Sequence, residues 1–290
     1  MLPGFELLMP QTVPDALEML AGYAPDALPV AGGTNMIPDM RGGKRRPAVL
    51  VNVMGLDELR GIRRENGHVI MGSGVRIAEL LDSELIAEDA SILKQAAGGF
   101  ANPLVRSRAT VGGNLGNASP AADTAPPLLA LGAEVRLASE DEARWVPLDE
   151  FFEDVCDTVC EHTELITAIR WPVPGPRAFG RFEKLSLRKA TAISVVSVAG
   201  QIAFDEGGRV EDVRLGLGAV APTPIRAYDA EEVLRGEPLT PDVIEEATRF
   251  ACSVTSCIGD VRSSARYREH VTEVLMRRLL EEAAEVGSRE

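Results

Sequence analysis

The chain has 290 residues, 45% hydrophobic and 26% charged, with a formal net charge of −14 and four cysteines. That length holds one large domain or two ordinary ones, and the composition is that of a globular protein. The negative balance argues against nucleic acid or an anionic membrane surface as partner, and four cysteines make no disulfide scaffold.

No apolar stretch approaches the length needed to span a bilayer, and the first six residues lack the basic and apolar regions of a signal peptide. A cytoplasmic location is therefore expected. Thr12-Val13-Pro14-Asp15 reads as a helix start, a hydroxyl cap with an acid three residues on, and Ala16, Leu17, Met19 and Leu20 form its apolar face. Leu28-Pro29-Val30 reads as a short strand, and the apolar run Ala48–Val53 as a buried one. Residues 1–53 thus form a small helix and parallel-strand unit.

His68–Met71 is a predicted strand, with helices near Ile77–Leu81, over Ser91–Gly99 and over Asp123–Leu131. Ala133–Leu137 and Glu164–Trp171 read as further strands. Pro172-Val173-Pro174-Gly175-Pro176 is the best domain boundary. Beyond it lie three strand-like runs, Phe179–Leu187, Ile193–Phe204 and Val210–Val220, then a helix opening at Thr240-Pro241 and a long one over Ser263–Val286. The arrangement is α+β. The expected domains are 1–175, with subdomains of about 1–55 and 56–175, and 176–290.

Two glycine-paired segments carry the chemistry. The first is Pro29-Val30-Ala31-Gly32-Gly33-Thr34-Asn35; the second is Thr110-Val111-Gly112-Gly113-Asn114-Leu115-Gly116-Asn117. Glycine allows positive φ and close approach to a ligand, and successive amides then form a concave anion site without a side-chain cation. A lone Gly-Gly is a tight turn. Two such segments, each beside a hydroxyl and an amide residue, suit the two phosphates of a dinucleotide. Neither has the G-x-G-x-x-G fingerprint, and no Walker lysine follows, which disfavours triphosphate hydrolysis. Gly72-Ser73-Gly74 reads as a turn.

Asp123 reads first as the cap of the helix that follows it, a role compatible with accepting a hydrogen bond from a ribose hydroxyl. Cys156-x₃-Cys160 has the spacing of neighbours on one helical face, and Cys252-x₄-Cys257 is a second pair. Neither has C-x₂-C spacing, so free thiols are expected rather than a metal or cluster site. His68, His162 and His270 show no metal-ligand spacing, and no G-x-S-x-G elbow is present. No catalytic acid–base constellation is evident.

These segments resemble the medium, FAD-binding subunit of the molybdenum hydroxylases, the family of xanthine and carbon monoxide dehydrogenases. Ala31-Gly32-Gly33-Thr34-Asn35 is similar to its A-G-G-T-D motif. Thr110-Val111-Gly112-Gly113-Asn114 is similar to T-[IV]-G-G-N. Phe151-Phe152 through Glu164-Leu165-Ile166, Phe182-Glu183-Lys184-Leu185, Val220–Arg226 and Asp260-Val261-Arg262 extend the likeness over nearly the whole chain.

The resemblance implies a two-subdomain FAD-binding domain of the vanillyl-alcohol-oxidase type and a C-terminal three-stranded antiparallel sheet with helices. FAD would lie between the subdomains, its diphosphate on the two glycine segments. The implied cofactor-binding residues are Pro29, Val30, Ala31, Gly32, Gly33, Thr34, Asn35, Phe100, Thr110, Gly112, Gly113, Asn114, Asp123, Ile166, Phe182 and Lys184. Lys184 is the cation expected near the flavin. A small two-cluster iron–sulfur subunit and a large molybdopterin subunit are the implied partners, in a dimer of heterotrimers. The chain would relay electrons through FAD, which does its own redox chemistry. A stand-alone flavin oxidoreductase and a non-catalytic assembly subunit are the competing readings. Asn35 departs from the family's Asp and removes a charge beside the first loop.

Overall fold

A computed structural model describes residues 2–188 and 193–288. The chain opens with β1 (Glu6–Leu8), α1 (Val13–Tyr23), β2 (Ala27–Val30), α2 (Met36–Arg41) and β3 (Val49–Asn52). The strands form a parallel sheet in the order β1-β3-β2, with Leu7 and Leu28 flanking Leu50. The expected capping box starts α1: Asp15 N–H donates to Thr12 Oγ1 at 3.2 Å, and Thr12 N–H donates to Asp15 Oδ2 at 3.0 Å. Ala16, Leu17 and Leu20 are thereby turned onto Val49 and Val51 in the first core.

The next unit contains β4 (Ile62–Glu65), β5 (His68–Gly72), α3 (Ile77–Asp82), α4 (Glu84–Asp89), α5 (Ser91–Gly99), α6 (Pro103–Arg106), α7 (Val111–Gly116) and α8 (Ala125–Ala130). It continues with β6 (Glu134–Ala138), β7 (Ala143–Pro147), β8 (Phe152–Asp154), β9 (Asp157–Thr158) and β10 (Leu165–Pro172). Five strands pair antiparallel in the order β4-β5-β10-β6-β7. Alternation sorts their faces: Val69, Met71, Val135, Leu137, Ile169 and Trp171 are buried in one core with the helices.

The last unit comprises β11 (Ala178–Ser186), β12 (Ser194–Phe204), β13 (Val210–Gly218), β14 (Ile225–Arg226), α9 (Tyr228–Leu234), α10 (Pro241–Ser253) and α11 (Ala265–Gly287). Its three long antiparallel strands are extended at one edge by the two-residue β14. β12 is covered on both faces. Bare glycines let the helices close in. A Cβ at Gly180 would stand 2.5 Å from Ile92 Cγ2 of α5, one at Gly200 2.7 Å from Leu279 Cδ2 of α11, and one at Gly216 2.3 Å from the Pro126 carbonyl of α8. Phe182 and Ala199 of the C-terminal strands are accordingly part of the same core as α5 and α8.

The helical spacing expected for Cys156 and Cys160 is not realised. Cys156 sits at φ +60° in the turn between β8 and β9, and Cys160 follows β9. Asp154 and Asp157 bond the amides of Val155 and Thr158 through their own carboxylates, which favours a turn over a helix. All four cysteines are free thiols, and no group of three or more His, Cys, Asp or Glu among the described residues is placed to hold a metal.

Candidate cofactor-binding cleft

The parallel sheet and the five-stranded unit meet along a cleft of about 310 Å³. One wall is residues 28–36 with Arg45; the other is 109, 110, 112–114, 116 and 117 with Ser73 and Gly74; Phe100 and residues drawn from 156–166 complete the lining. The cleft begins at the carboxyl end of β2, the place where α/β sheets offer loops to ligands.

The first glycine segment is the loop between β2 and α2. Gly32 lies so close to the following wall that a Cβ there would stand 2.1 Å from the Arg108 carbonyl oxygen. Gly33 has φ +69°, a left-handed conformation that side chains resist. Ile37 and Asp39 donate back to the carbonyls of Gly33 and Asn35 at 3.1 and 3.0 Å, which starts α2. The amides of Gly32, Gly33, Thr34 and Asn35 donate to no protein group among the described residues. Four donors in succession around a left-handed glycine make an anion nest.

The second segment is built differently. Thr110 caps α7, its Oγ1 accepting from Gly113 N–H at 3.0 Å. Val111 N–H donates to the Val75 carbonyl and Gly112 N–H to the Ser73 carbonyl, both at 2.9 Å, and Asn114 N–H to the Thr110 carbonyl at 3.0 Å. The first amides of this helix are therefore all occupied, and neither glycine of the pair has positive φ. Open amides are thus found in the first segment and not in the second. What the second pair provides is closeness: a Cβ on Gly112 would stand 2.5 Å from Ser73 Cβ. Asn114 Oδ1 accepts from Thr124 Oγ1 at 2.6 Å, which ties the wall to the start of α8.

Phe100 and Ile166 both line the cleft. Asp123, Phe182 and Lys184 are not on its walls. They lie where β11 and β12 pack on α5 and α8. Lys184 Nζ donates to Asp123 Oδ2 at 2.6 Å, and Ser194 Oγ donates to Asp123 Oδ1 at 2.5 Å. Burial pushes the Asp123 carboxyl up, opposed by the Lys184 charge and both hydrogen bonds. Asp123 neither caps α8, which begins at Ala125, nor stands on the cleft wall. The Lys184 stem passes 3.6 Å from where a Gly99 Cβ would be, one residue before Phe100. Phe182 is buried, and its N–H donates to Gln95 Oε1 at 2.9 Å.

Sequence reasoning missed Arg45, Ser73, Gly74 and the lining residues 156–158 and 160–162. Gly72-Ser73-Gly74 looks like an ordinary turn, yet it forms the seat of Gly112. Arg45 is one of three consecutive cations, Lys44-Arg45-Arg46, and no pattern says which one turns inward. At the far end of the cleft Glu164 is neutralised by Arg144 at 3.1 Å. Burial, with Glu164 adding to it, pushes the Cys160 thiol up to about 12, so it stays protonated at neutral pH.

The family model of the FAD binding domain in molybdopterin dehydrogenase matches residues 3–174, and that of the CO dehydrogenase flavoprotein C-terminal domain matches residues 181–283. The chain is 32% identical over 285 residues to the carbon monoxide dehydrogenase medium chain of Afipia carboxidovorans, covering 98% of each. It is 30% identical over 274 residues to the xanthine dehydrogenase FAD-binding subunit of Escherichia coli O157:H7, covering 94% of this chain and 93% of that one. A chain in a solved structure of carbon monoxide dehydrogenase from Hydrogenophaga pseudoflava superposes with a TM-score of 0.95 at 29% identity, covering 99% of both. With likeness of sequence and of structure running through both halves, the chain belongs to the FAD-binding subunits of the molybdopterin dehydrogenases.

Proposed function

We propose that this chain is the FAD-carrying electron-transfer subunit of a molybdenum hydroxylase, working with a small iron–sulfur subunit and a large molybdopterin subunit. A dimer of such heterotrimers, a cytoplasmic location and a chain divided into 1–175 and 176–290 complete the reading. Among the described residues no helix is long and apolar enough to cross a membrane.

The observation that carries the reading is the cleft's match to a dinucleotide. Open amides at Gly32 to Asn35 suit a diphosphate, Gly32 and Gly112 leave room for nothing larger, and Phe100 and Ile166 offer apolar surface to a flat ring. Thr110, Gly113 and Asn114 form the opposite wall, and Pro29, Val30 and Ala31 lead into the nest. When bound, FAD supplies the electron-relay chemistry. The chain's own residues position it and shield it. Asp123, Phe182 and Lys184 act from behind α5: Lys184 contributes positive charge next to Phe100, partly balanced by Asp123. Replacing Lys184 with Met is expected to lower the flavin midpoint potential, measured by dye-linked redox titration of the assembled enzyme.

Purification tests the whole proposal. A yellow chain whose flavin is reduced by substrate only when iron–sulfur and molybdenum subunits are co-expressed is the expected result. Substrate turnover by the chain alone would instead identify a self-sufficient oxidoreductase, and a colourless protein an assembly subunit.

A further inference from the structure

Resting on the reading that the cleft takes FAD, we infer that Arg45 is the side-chain cation that holds the diphosphate on the first glycine segment, and that Asp39 competes for it. Arg45 is the single Lys or Arg on the cleft wall among the described residues. The other charged groups there are acids, Asp157, Glu161 and the Arg144-paired Glu164, in a chain that already carries −14. Amides alone can receive an anion, but a cation beside them holds a dianionic diphosphate more firmly; Arg45 supplies it from the wall, whereas Arg108 commits its Nε to the Gly32 carbonyl at 3.3 Å.

The rest of Arg45's surroundings leave it available. Its polar contact is one ion pair, Nε to Asp39 Oδ2 at 3.9 Å, and Lys44 reaches the same carboxylate at 3.9 Å. The side chain is 30% exposed. A long, partly solvated pair of this kind is weak, whereas a guanidinium meets phosphate oxygens in a two-pronged, charge-assisted contact. The four open amides stand on the same wall. The second glycine segment cannot share the task through its first amides, which are bonded within the protein. Asn35 adds to the logic: an aspartate there would bring one more carboxylate to the lining that Arg45 serves.

The test is FAD titration of the full-length chain freed of flavin, followed by fluorescence quenching. Arg45→Gln is expected to raise the Kd for FAD about tenfold and to flatten its dependence on salt. Arg45→Lys, which keeps the charge, recovers most of that loss. Asp39→Asn lowers the Kd in the wild-type background and has no effect beside Arg45→Gln. ADP, a competitor that carries the diphosphate without the flavin, loses affinity by about the same factor, while riboflavin, which has no phosphate, loses none. A Kd for FAD within twofold of wild type in Arg45→Gln, or an equal loss for riboflavin, overturns the inference while leaving the cleft reading intact. A wild-type chain that takes up no FAD overturns both.

Discussion

The two glycine segments look alike in sequence and do opposite things with their backbone. The segment at Gly32-Gly33 leaves four consecutive amides unbonded and bends through a left-handed residue. The segment at Gly112-Gly113 is regular helix whose leading amides are all bonded to protein. Glycine serves conformation at Gly33 and proximity at Gly32 and Gly112. A Gly-Gly motif therefore marks a place where backbone comes close, and only the hydrogen-bond accounting says whether it can receive an anion.

The largest expected effects come from filling the close approaches. Gly32→Ala and Gly112→Ala each drive a Cβ into fixed neighbours, the Arg108 carbonyl and the Ser73 backbone and Cβ. Each should cost about 3 kcal/mol or more in urea unfolding and abolish flavin uptake. Equal tolerance at both sites would break the claim that proximity is what they share.

Lys184→Met comes next. It leaves the Asp123 carboxyl buried without its cation, at a cost of about 3 kcal/mol, and Asp123→Asn in the same chain should restore part of it. Because neither residue stands on the cleft wall, flavin affinity should fall less here than in Gly32→Ala.

Smaller effects separate the two devices. Gly33→Ala forces a side chain into the left-handed region and should cost about 1 kcal/mol. Thr110→Ala removes the cap of α7 and should also cost about 1 kcal/mol, both read by denaturant midpoint. Their effect on flavin is expected to differ: Gly33→Ala disturbs the open nest, whereas Thr110→Ala merely frees a Gly113 amide. The smallest change is chemical. Native thiol titration at pH 8 should modify exposed Cys156 at least about tenfold faster than Cys160, whose thiol burial raises to about 12.

Much of this fold was legible because its signals are local. The Thr12 and Asp15 box, the Ser91–Gly99 helix and the strands β6 and β10 were read from neighbouring residues and recur in the structure. The cleft's walls were legible for the same reason, as glycine motifs at strand and helix ends. What escaped depends on contacts far apart in sequence. Ser73 matters because Gly112 rests on it, Asp123 meets Lys184 across 61 positions, and Arg45 turns inward while its equally cationic neighbours have other surroundings. The cysteine spacing misled because Asp154 and Asp157 bind their own local amides and make a turn.

The bare strands of the C-terminal sheet have a mechanical consequence. Gly180 is pressed against Ile92, Gln95 is bonded to both the Gly180 carbonyl and the Phe182 amide, and the Lys184 stem runs beside Gly99, so β11 grips α5 along its whole length. That helix ends at Phe100, on the cleft wall. Interiors packed this tightly pass displacement on rather than absorb it. Strand β11 is thus a handle on the cleft wall: a displacement of the strand would carry Phe100 with it, through a rod of nine residues.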